Sequence, residues 1–182
     1  TDGLLTIKGD TNTAATPSIR LLDGADAREV SITNTSGDFV ASVHGADNTV
    51  HGHLKVFESG IVQFANGGAS GSITERLRIS VDGQVGISSA APDAWHSTYT
   101  SLQIHDAAVL YGSTDDSFVG LGANHFLNTS GDFKYSKTDF ASRFYQVNGE
   151  FVFENAASGT AGNTFSFTEK LILHNTGHIT PG

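Results

Sequence analysis

The chain has 182 residues, a formal net charge of −9, and neither cysteine nor methionine. This acidic balance argues against nucleic-acid binding, since phosphate contacts need a basic surface. The lack of cysteine excludes disulfides and thiolate metal sites. No run approaches the roughly 20 apolar residues of a membrane-spanning helix, so we expect no membrane insertion. Because the chain starts at Thr1 and stops in mid-motif at Pro181-Gly182, we expect it to be a piece of a longer protein.

Short runs of alternating apolar and polar residues follow one another along the chain, and no helical period exceeds about two turns. The first half contains the predicted strands Leu4–Lys8, Ser18–Leu22, Glu29–Thr33, Asp38–Val43, Val50–Phe57, Ile61–Ala65, Arg76–Ser80 and Gln84–Ile87. The second half contains Ser101–His105, Ala108–Tyr111, Ser117–Leu121, His125–Leu127, Phe133–Ser136, Arg143–Val147, Glu150–Glu154, Thr164–Phe167, Lys170–His174 and His178–Thr180. Dipeptides typical of tight turns, such as Asp-Gly, Ser-Gly and Asn-Gly, separate them. The sequence therefore predicts an all-β fold.

One stretch, Thr74–Ile87, shows the pattern most clearly. Leu77 and Ile79 alternate with polar residues, which is the period of a half-buried strand. Asp82-Gly83 then separates this run from a second one. An Asp-Gly pair between two strands predicts a hairpin with a type I′ turn, in which both central residues have positive φ.

The chain also repeats itself. The hexapeptide at residues 34–39 recurs letter for letter at residues 128–133, and Thr74–Leu77 recurs in part with the same shift of 94 positions. We therefore predict two tandem β-modules of about 90 residues, sandwich-like or prism-like, at residues 1–90 and 91–182. A module of this size buries only a modest core and exposes strand edges. Symmetric association of copies would cover both.

Two segments carry a family resemblance, Ile73–Ile87 and Ala156–Ile179. They resemble a repeat found in tail-fibre and tail-spike proteins of tailed bacteriophages. That repeat reads roughly Ser-Phe-Thr-Glu-Arg-Leu-Arg-Ile, a few small residues, then Gly-Asn-Val-Gly-Ile-Gly-Thr. The chain departs from it at Gln84, where the family often has Asn, and at Ile172 and Thr180, where it has Arg and Gly.

The resemblance implies an intertwined parallel homotrimeric fibre located in the virion, as part of a phage appendage. Such a segment is expected to take part in host recognition and attachment. Its expected partners are its own copies, other virion proteins, and a host cell-surface polysaccharide or outer-membrane protein. No catalytic residue of those families can be placed on this chain, so no enzymatic activity is expected. The alternatives are a non-binding spacer or capsid-decorating protein and, third, a polysaccharide depolymerase.

His51 and His53 are the candidate metal ligands. Residues two apart on a strand point to the same face, so both imidazoles can reach one metal ion. In a parallel trimer, three such pairs would surround the axis with an octahedral set suited to iron or another divalent metal. The resemblance supports this, since slender phage fibres use a His-x-His pattern for a buried iron. The alternative is a pair of solvated histidines beside Gly52, with no cofactor.

Aromatic residues crowd the second half of the chain. Exposed Trp95, Tyr99, Tyr135 or Tyr145 would offer platforms on which sugar rings stack, so these four residues are the candidate ligand contacts. Core packing is expected for most phenylalanines. Phe151 and Phe153 are separated by Val152, so we predict that these two phenylalanines share a face. Phe165 and Phe167 are separated by Ser166, and the same prediction holds for them.

Other candidate groups have simpler interpretations. Asp115 and Asp116 would suit a glycosidase acid and base only if two carboxylates met across a groove. They lie among turn residues, where aspartate is favoured for local hydrogen bonds. His174 and His178 flank a predicted turn. We expect two surface histidines at strand ends, and the alternative is that the two side chains face one another.

Overall fold

The fold is taken from a computed structural model, which describes residues 18–23, 28–45, 49–67, 72–88 and 92–182. Throughout these residues the chain is all-β with no helix, as the sequence predicts. Contacts divide the chain into two compact units, Thr1–Leu77 and Arg78–Gly182. The tandem modules at residues 1–90 and 91–182 stay a prediction.

In the first unit, strands that follow one another in the chain lie side by side. The pairs from the first strand to the fifth are antiparallel. The strands are β1 (Ser18–Asp23), β2 (Arg28–Thr35), β3 (Asp38–His44), β4 (Val50–Val56), β5 (Val62–Gly67) and β6 (Ile73–Ile79), whose last two residues belong to the second unit. The predicted strand Leu4–Lys8 lies outside the described residues, as does part of the predicted turn at Asp23-Gly24.

The second unit continues the pattern with ten further strands. They are β7 (Val85–Ile87), β8 (Tyr99–Ile104), β9 (Ala108–Ser113), β10 (Val119–Ala123), β11 (His125–Leu127), β12 (Phe133–Tyr135), β13 (Asp139–Val147), β14 (Glu150–Gly159), β15 (Thr168–Leu173) and β16 (Ile179–Pro181). Eight of them are neighbours in the order β7-β8-β9-β10-β13-β14-β15-β16, and β11 and β12 form a separate two-stranded sheet. Most of the predicted strands are confirmed within a few residues.

The predicted turn type at Asp82-Gly83 is wrong. Gly83 has φ +78°, but Asp82 does not have a positive φ. Gly83 N–H donates to Ser80 O (3.0 Å) and Ser80 N–H donates to Gln84 O (2.8 Å), which closes a three-residue loop. Such a loop is a type I turn followed by one left-handed residue, so it needs glycine at a single position. Loops ending in Gly60, Gly131 and Gly177 are closed by the same two hydrogen bonds.

The repeated hexapeptide adopts two different turns. At its first occurrence, Ser36 (φ +54°) and Gly37 (φ +92°) form a two-residue turn between β2 and β3, whose pairing continues to Thr35 and Asp38. At its second occurrence, the loop has three residues and ends at Gly131 (φ +86°). The long ladder of β2 and β3 continues up to the first turn, whereas the second turn joins two strands of only three residues each.

The shift of 94 positions holds for the closing hairpin of the repeat. Strand β7 (Val85–Ile87) and strand β16 (Ile179–Pro181) coincide under this shift, and β6 coincides with β15 apart from its first residue. Strand β4 instead corresponds to the end of β13 and the turn after it. The internal repeat in the sequence is therefore structural in the closing hairpin.

Two connections cover one face of the second unit's sheet. Strands β7 and β8 pair in parallel, which requires the chain between them to cross over, and Trp95 lies in this crossover. We call residues 124–137, which include β11 and β12, the flap. Asn124 holds both ends of the flap, because its Nδ2 donates to Lys137 O (3.1 Å) and its Oδ1 accepts from Lys137 N–H (2.6 Å).

The predicted strand Thr164–Phe167 is wrong as a strand. Only one bridge forms there, between Lys134 and Thr164. The alternation is nevertheless kept, since Phe165 and Phe167 both pack inward against the flap while Ser166 is exposed. Ring packing therefore holds this segment in place together with two backbone hydrogen bonds, from Phe165 N–H to Phe133 O (3.1 Å) and from Tyr135 N–H to Asn163 O (3.2 Å).

Candidate functional site

The sheet of the second unit has an exposed apolar face. One row of large apolar side chains crosses six neighbouring strands, in the order β8-β9-β10-β13-β14-β15, and each member is paired directly with the next. The row consists of Leu102, Leu110, Leu121, Phe144, Phe153 and Leu171. Leu121 is 58% exposed and Phe153 is 42% exposed, which is unusual for side chains of this size in the middle of a sheet.

A second row lies beside the first on the same face. It runs through Val119, Gln146, Phe151, Leu173 and Ile179. Phe151 and Phe153 share a face, as predicted, but both lie at the surface rather than in the core. Their neighbours Val152 and Glu154 are the buried ones. We call these two rows the apolar face.

The first unit has a comparable face. Ile19, Ile32, Ala41, Leu54 and Phe64 are paired in sequence across β1 to β5. Ile19, Ile32 and Phe64 are each more than 40% exposed. The opposite row of this unit is mostly polar and consists of Ser31, Ser42, His53 and the apolar Ala65. Ser31 and Ser42 in that polar row are buried.

This distribution has an energetic consequence. Monomeric proteins seldom expose contiguous apolar patches beyond about 600 Å². Removing one large apolar side chain from water contributes roughly 1.5–3 kcal/mol. A face with a row of such side chains across six neighbouring strands, from Leu102 to Leu171, therefore favours contact with another apolar surface.

Beside the apolar row lies a depression of about 550 Å³, which we call the trough. Its floor is a row of small residues, in which Ala108 pairs with Ala123 and Ala123 pairs with Ser142. Leu121 and Phe144 stand along one side of it. Phe153, Asn155 and Lys170 also line the trough. It is an apolar channel with a cationic group at its border.

The opposite face of this sheet, the covered face, holds an aromatic cluster. Trp95 lies 4.8 Å from Tyr111 between ring centroids, and Tyr99 and Phe118 pack against the same pair. A second cluster packs Tyr135 and the rings of Phe165 and Phe167 around Ala141 and Ala156. The crossover and the flap supply many of these rings, so the covered face is complete within one chain.

His125 lies between the two clusters and is 2% exposed. Its Nδ1 lies 3.4 Å from Ala123 O, and its Nε2 lies 3.3 Å from the Tyr111 hydroxyl. A neutral imidazole with its proton on Nδ1 satisfies both contacts, since Tyr111 then donates to Nε2. Burial lowers the pKa of His125 to about 4, and the nearby charge of Arg143 acts in the same direction. Gly122 makes room for the ring, because a Cβ there would lie 2.0 Å from His125 Cε1.

A buried ion pair crosses the covered face. Arg143 Nε donates to Glu154 Oε2, and the two side chains are 13% and 7% exposed. The guanidinium also lies over the rings of Phe133 (4.6 Å), Tyr145 (4.6 Å) and Phe167 (4.5 Å). Burial alone would lower the pKa of Arg143, but the hydrogen bond to Glu154 and the neighbouring charges raise it overall. The sequence analysis did not find this pair. The signal that could have indicated it is a charged residue, Arg143 or Glu154, within the alternating pattern of each of the strands β13 and β14.

The four predicted ligand platforms lie on the covered face. Trp95 is 5% exposed and Tyr135 is 6% exposed, so neither has a free ring face on which a sugar could stack. Tyr99 and Tyr145 are partly exposed, and each packs against Phe118. A ligand role for these residues stays a prediction, and partial exposure favours Tyr99 and Tyr145 over the other two.

His51 and His53 lie on β4 and are both partly buried. His53 Nε2 is 3.0 Å from Gln63 Oε1, and Gln63 in turn donates to Glu75. Within the described residues, no group of three or more acidic, histidine or cysteine side chains is placed to hold a metal ion. A site shared between copies stays a prediction, because it needs ligands from several chains.

The remaining candidates are placed at turns. Asp115 N–H and Asp116 N–H both point to Ser113 Oγ (3.1 and 3.3 Å), which is the local turn bonding expected from the sequence. His174 and His178 stack at 5.8 Å across the last loop, which is the alternative to two separate surface histidines. His174 also bonds Glu150 through Nδ1 (2.7 Å) and Thr180 through Nε2 (2.8 Å), two partners that the sequence did not indicate.

Comparison of the chain with protein-family models, with curated proteins and with solved structures finds no match. No helix in the described part of the chain is long and apolar enough to cross a membrane.

Proposed function

We propose that this chain is a structural and binding segment of a tailed-phage fibre or spike, which assembles from copies of itself and takes part in host attachment. In this proposal the copies form a parallel homotrimer in which the apolar faces of neighbouring chains cover one another. Other virion proteins join it in the particle, and a host cell-surface polysaccharide or outer-membrane protein is its target. The resemblance of Ile73–Ile87 and Ala156–Ile179 to fibre repeats supports the virion role.

One observation carries the assembly part of the proposal. The apolar face remains exposed although the same chain covers the opposite face with a crossover, a flap and two aromatic clusters. In most antiparallel sheets the apolar face lies on the core and the polar face is solvated. An exposed row of leucine and phenylalanine side chains beside a completed covered face favours a partner surface of similar character. A second copy of the chain supplies such a surface.

The mass of the protein in solution tests this. We expect light scattering to give three times the chain mass of 19.1 kDa. Leu121→Asp puts a charge in the middle of the apolar row and is expected to yield folded, smaller species. Val81→Asp is the matched control, because Val81 is 66% exposed but lies in a loop. A wild-type protein that stays monomeric at high concentration would contradict the proposal.

Attachment and virion location need separate measurements. Labelled protein is expected to bind host cells that the phage infects, and gold-labelled antibody is expected to mark an appendage of the particle. A purely structural spacer is the second candidate, favoured by the burial of Trp95 and Tyr135, which removes two predicted sugar platforms. Binding to no cell or glycan, together with labelling of the appendage, would select the spacer.

A further inference from the structure

We propose that Phe140 of one copy inserts into the trough of the next copy, with Asp139 beside it pairing with Lys170. This inference deepens the proposed function and rests on it, since it names the contact by which the copies recognise one another. The occupant is a second copy of this chain.

The first step concerns the inserting residue. Phe140 is 67% exposed, although its neighbour Ala141 is 1% exposed in the core. It lies opposite a β-bulge, because Asp139 pairs with Gly159 and Ala141 with Ala156, so that the extra residue is on β14. Bulges bend a strand and re-aim side chains. The ring is therefore presented away from its own chain's core.

The second step concerns the receiving surface. The trough floor of Ala108, Ala123 and Ser142 leaves a channel in a face otherwise occupied by leucine and phenylalanine side chains. Its volume of about 550 Å³ is ample for one phenyl ring. Phe144 and Phe153 stand at its border with ring centroids 4.8 Å apart, which offers an incoming ring an aromatic contact.

The third step concerns charge. Of the three charged residues that line the trough, Arg143 and Glu154 are largely buried and pair with one another, whereas Lys170 is exposed. Asp139 directly precedes Phe140 in the chain. Within the described residues, neither Lys170 nor Asp139 takes part in an ion pair. The Asp139 carboxylate accepts a hydrogen bond from Phe140 N–H (2.8 Å), which fixes it beside the ring. A phenyl ring flanked by an anion thus matches an apolar channel flanked by a cation.

The symmetry of this contact agrees with a closed ring. Each copy can give one ring and receive one, either reciprocally between two copies or head to tail between successive copies, and the proposed trimer selects the head-to-tail, heterologous form. Heterologous contacts close into rings when the rotation between copies allows it. A ring of three copies makes three such contacts and leaves no trough empty.

The test compares the association of purified full chains by sedimentation and light scattering. Phe140→Ala is expected to weaken association about 10- to 100-fold, as for a central aromatic anchor. Asp139→Lys and Lys170→Asp are each expected to weaken it, and the double variant Asp139→Lys/Lys170→Asp is expected to recover most of the loss. Val81→Ala, at a similarly exposed apolar residue in a loop, is the control and is expected to change nothing.

A second measurement uses the absence of cysteine from the chain. Phe140→Cys and Ala123→Cys chains, produced together, are expected to form a disulfide between one chain of each kind. Phe140→Cys with Val81→Cys is the matched control and is expected to form none. A monomeric wild type overturns the proposed function and this contact together. An oligomeric wild type with unaffected Phe140→Ala and no cross-link overturns only the contact and leaves the proposed function standing.

Discussion

The two units resemble one another on their apolar faces and differ on their opposite faces. In the first unit the opposite face is a polar row that contains Ser31, Ser42 and His53. In the second unit it is an aromatic layer around His125, closed over the Arg143–Glu154 ion pair. Both units therefore expose an apolar face, whereas the side chains that pack on the opposite face differ between them. The exposed apolar face and the packing of the opposite face thus vary independently in the same kind of sheet.

The largest expected effect is on unfolding free energy, and it compares the buried ion pair of the second unit with a more exposed ion pair of the first. Glu154→Gln leaves Arg143 charged in a buried site without its anionic partner, and breaking a buried pair in this way costs roughly 3–5 kcal/mol of unfolding free energy. Urea denaturation followed by the fluorescence of Trp95, the only tryptophan, measures it in the second unit. Asp38→Asn removes the more exposed Lys55–Asp38 pair (2.7 Å) of the first unit and is the matched control, whose unfolding is followed by circular dichroism because the tryptophan lies in the second unit. A loss for Glu154→Gln no larger than for Asp38→Asn would show that the covered face is solvated.

The next effect is a pH dependence confined to the second unit. The pKa of His125 is depressed to about 4 in the folded protein and is about 6.5 when unfolded. The unfolded state therefore binds the proton more readily, so stability is complete above pH 6.5 and falls as the pH drops towards 4. The loss is expected to approach roughly 3 kcal/mol. Denaturation of the second unit at several pH values between 7 and 4 measures it.

His125→Gln serves as the reference for this measurement. Glutamine does not titrate, so the variant is expected to lose the part of the slope between pH 6.5 and 4 that His125 causes. The titratable or charged groups facing His125 are Tyr111, whose burial raises its pKa to about 12, and Arg143, which stays charged in this range. Equal slopes for the wild type and the variant would mean that His125 is protonated without cost in the folded protein.

The smallest effect compares the two copies of the hexapeptide. Ser36 has a positive φ and Ser130 does not. Asparagine tolerates the left-handed region better than serine and is favoured in two-residue hairpin turns. Ser36→Asn is therefore expected to stabilise the protein by about 0.5 kcal/mol, and Ser130→Asn to leave it unchanged. Thermal denaturation by circular dichroism measures both, and equal shifts for the two variants would contradict the difference in turn type.

These copies also show what the sequence could predict and what it could not. The alternation of apolar and polar residues predicts nearly every strand, because the two faces of a sheet differ in environment. The turn type is not predictable from the hexapeptide, since identical residues form a two-residue turn at Ser36-Gly37 and a three-residue loop ending at Gly131. The strands on either side decide the turn. Local residues alone therefore do not determine it.

Which face of the second unit's sheet is covered could likewise not be predicted from the alternation of apolar and polar residues. Alternation in β14 separates Phe151 and Phe153 from Val152 and Glu154, but it favours burial of the phenylalanines. The flap and the crossover reverse that expectation, because they supply enough rings to bury Glu154 together with Arg143. Trp95 is buried for the same reason, since it lies in the crossover itself. Long-range packing of this kind leaves no periodic signal in the sequence.

The order of the strands has a consequence for how such chains change in length. Within each unit, contacts between strands mainly join elements that follow one another in the sequence. Sheets with such local contacts fold without long loop closures, and their stability grows by neighbouring increments. Adding or deleting one hairpin changes the width of a sheet by about 10 Å, two strand spacings, and leaves the register of the other strands unchanged. A sheet of this kind can therefore be widened or narrowed in steps of one hairpin while the rest of the fold is retained.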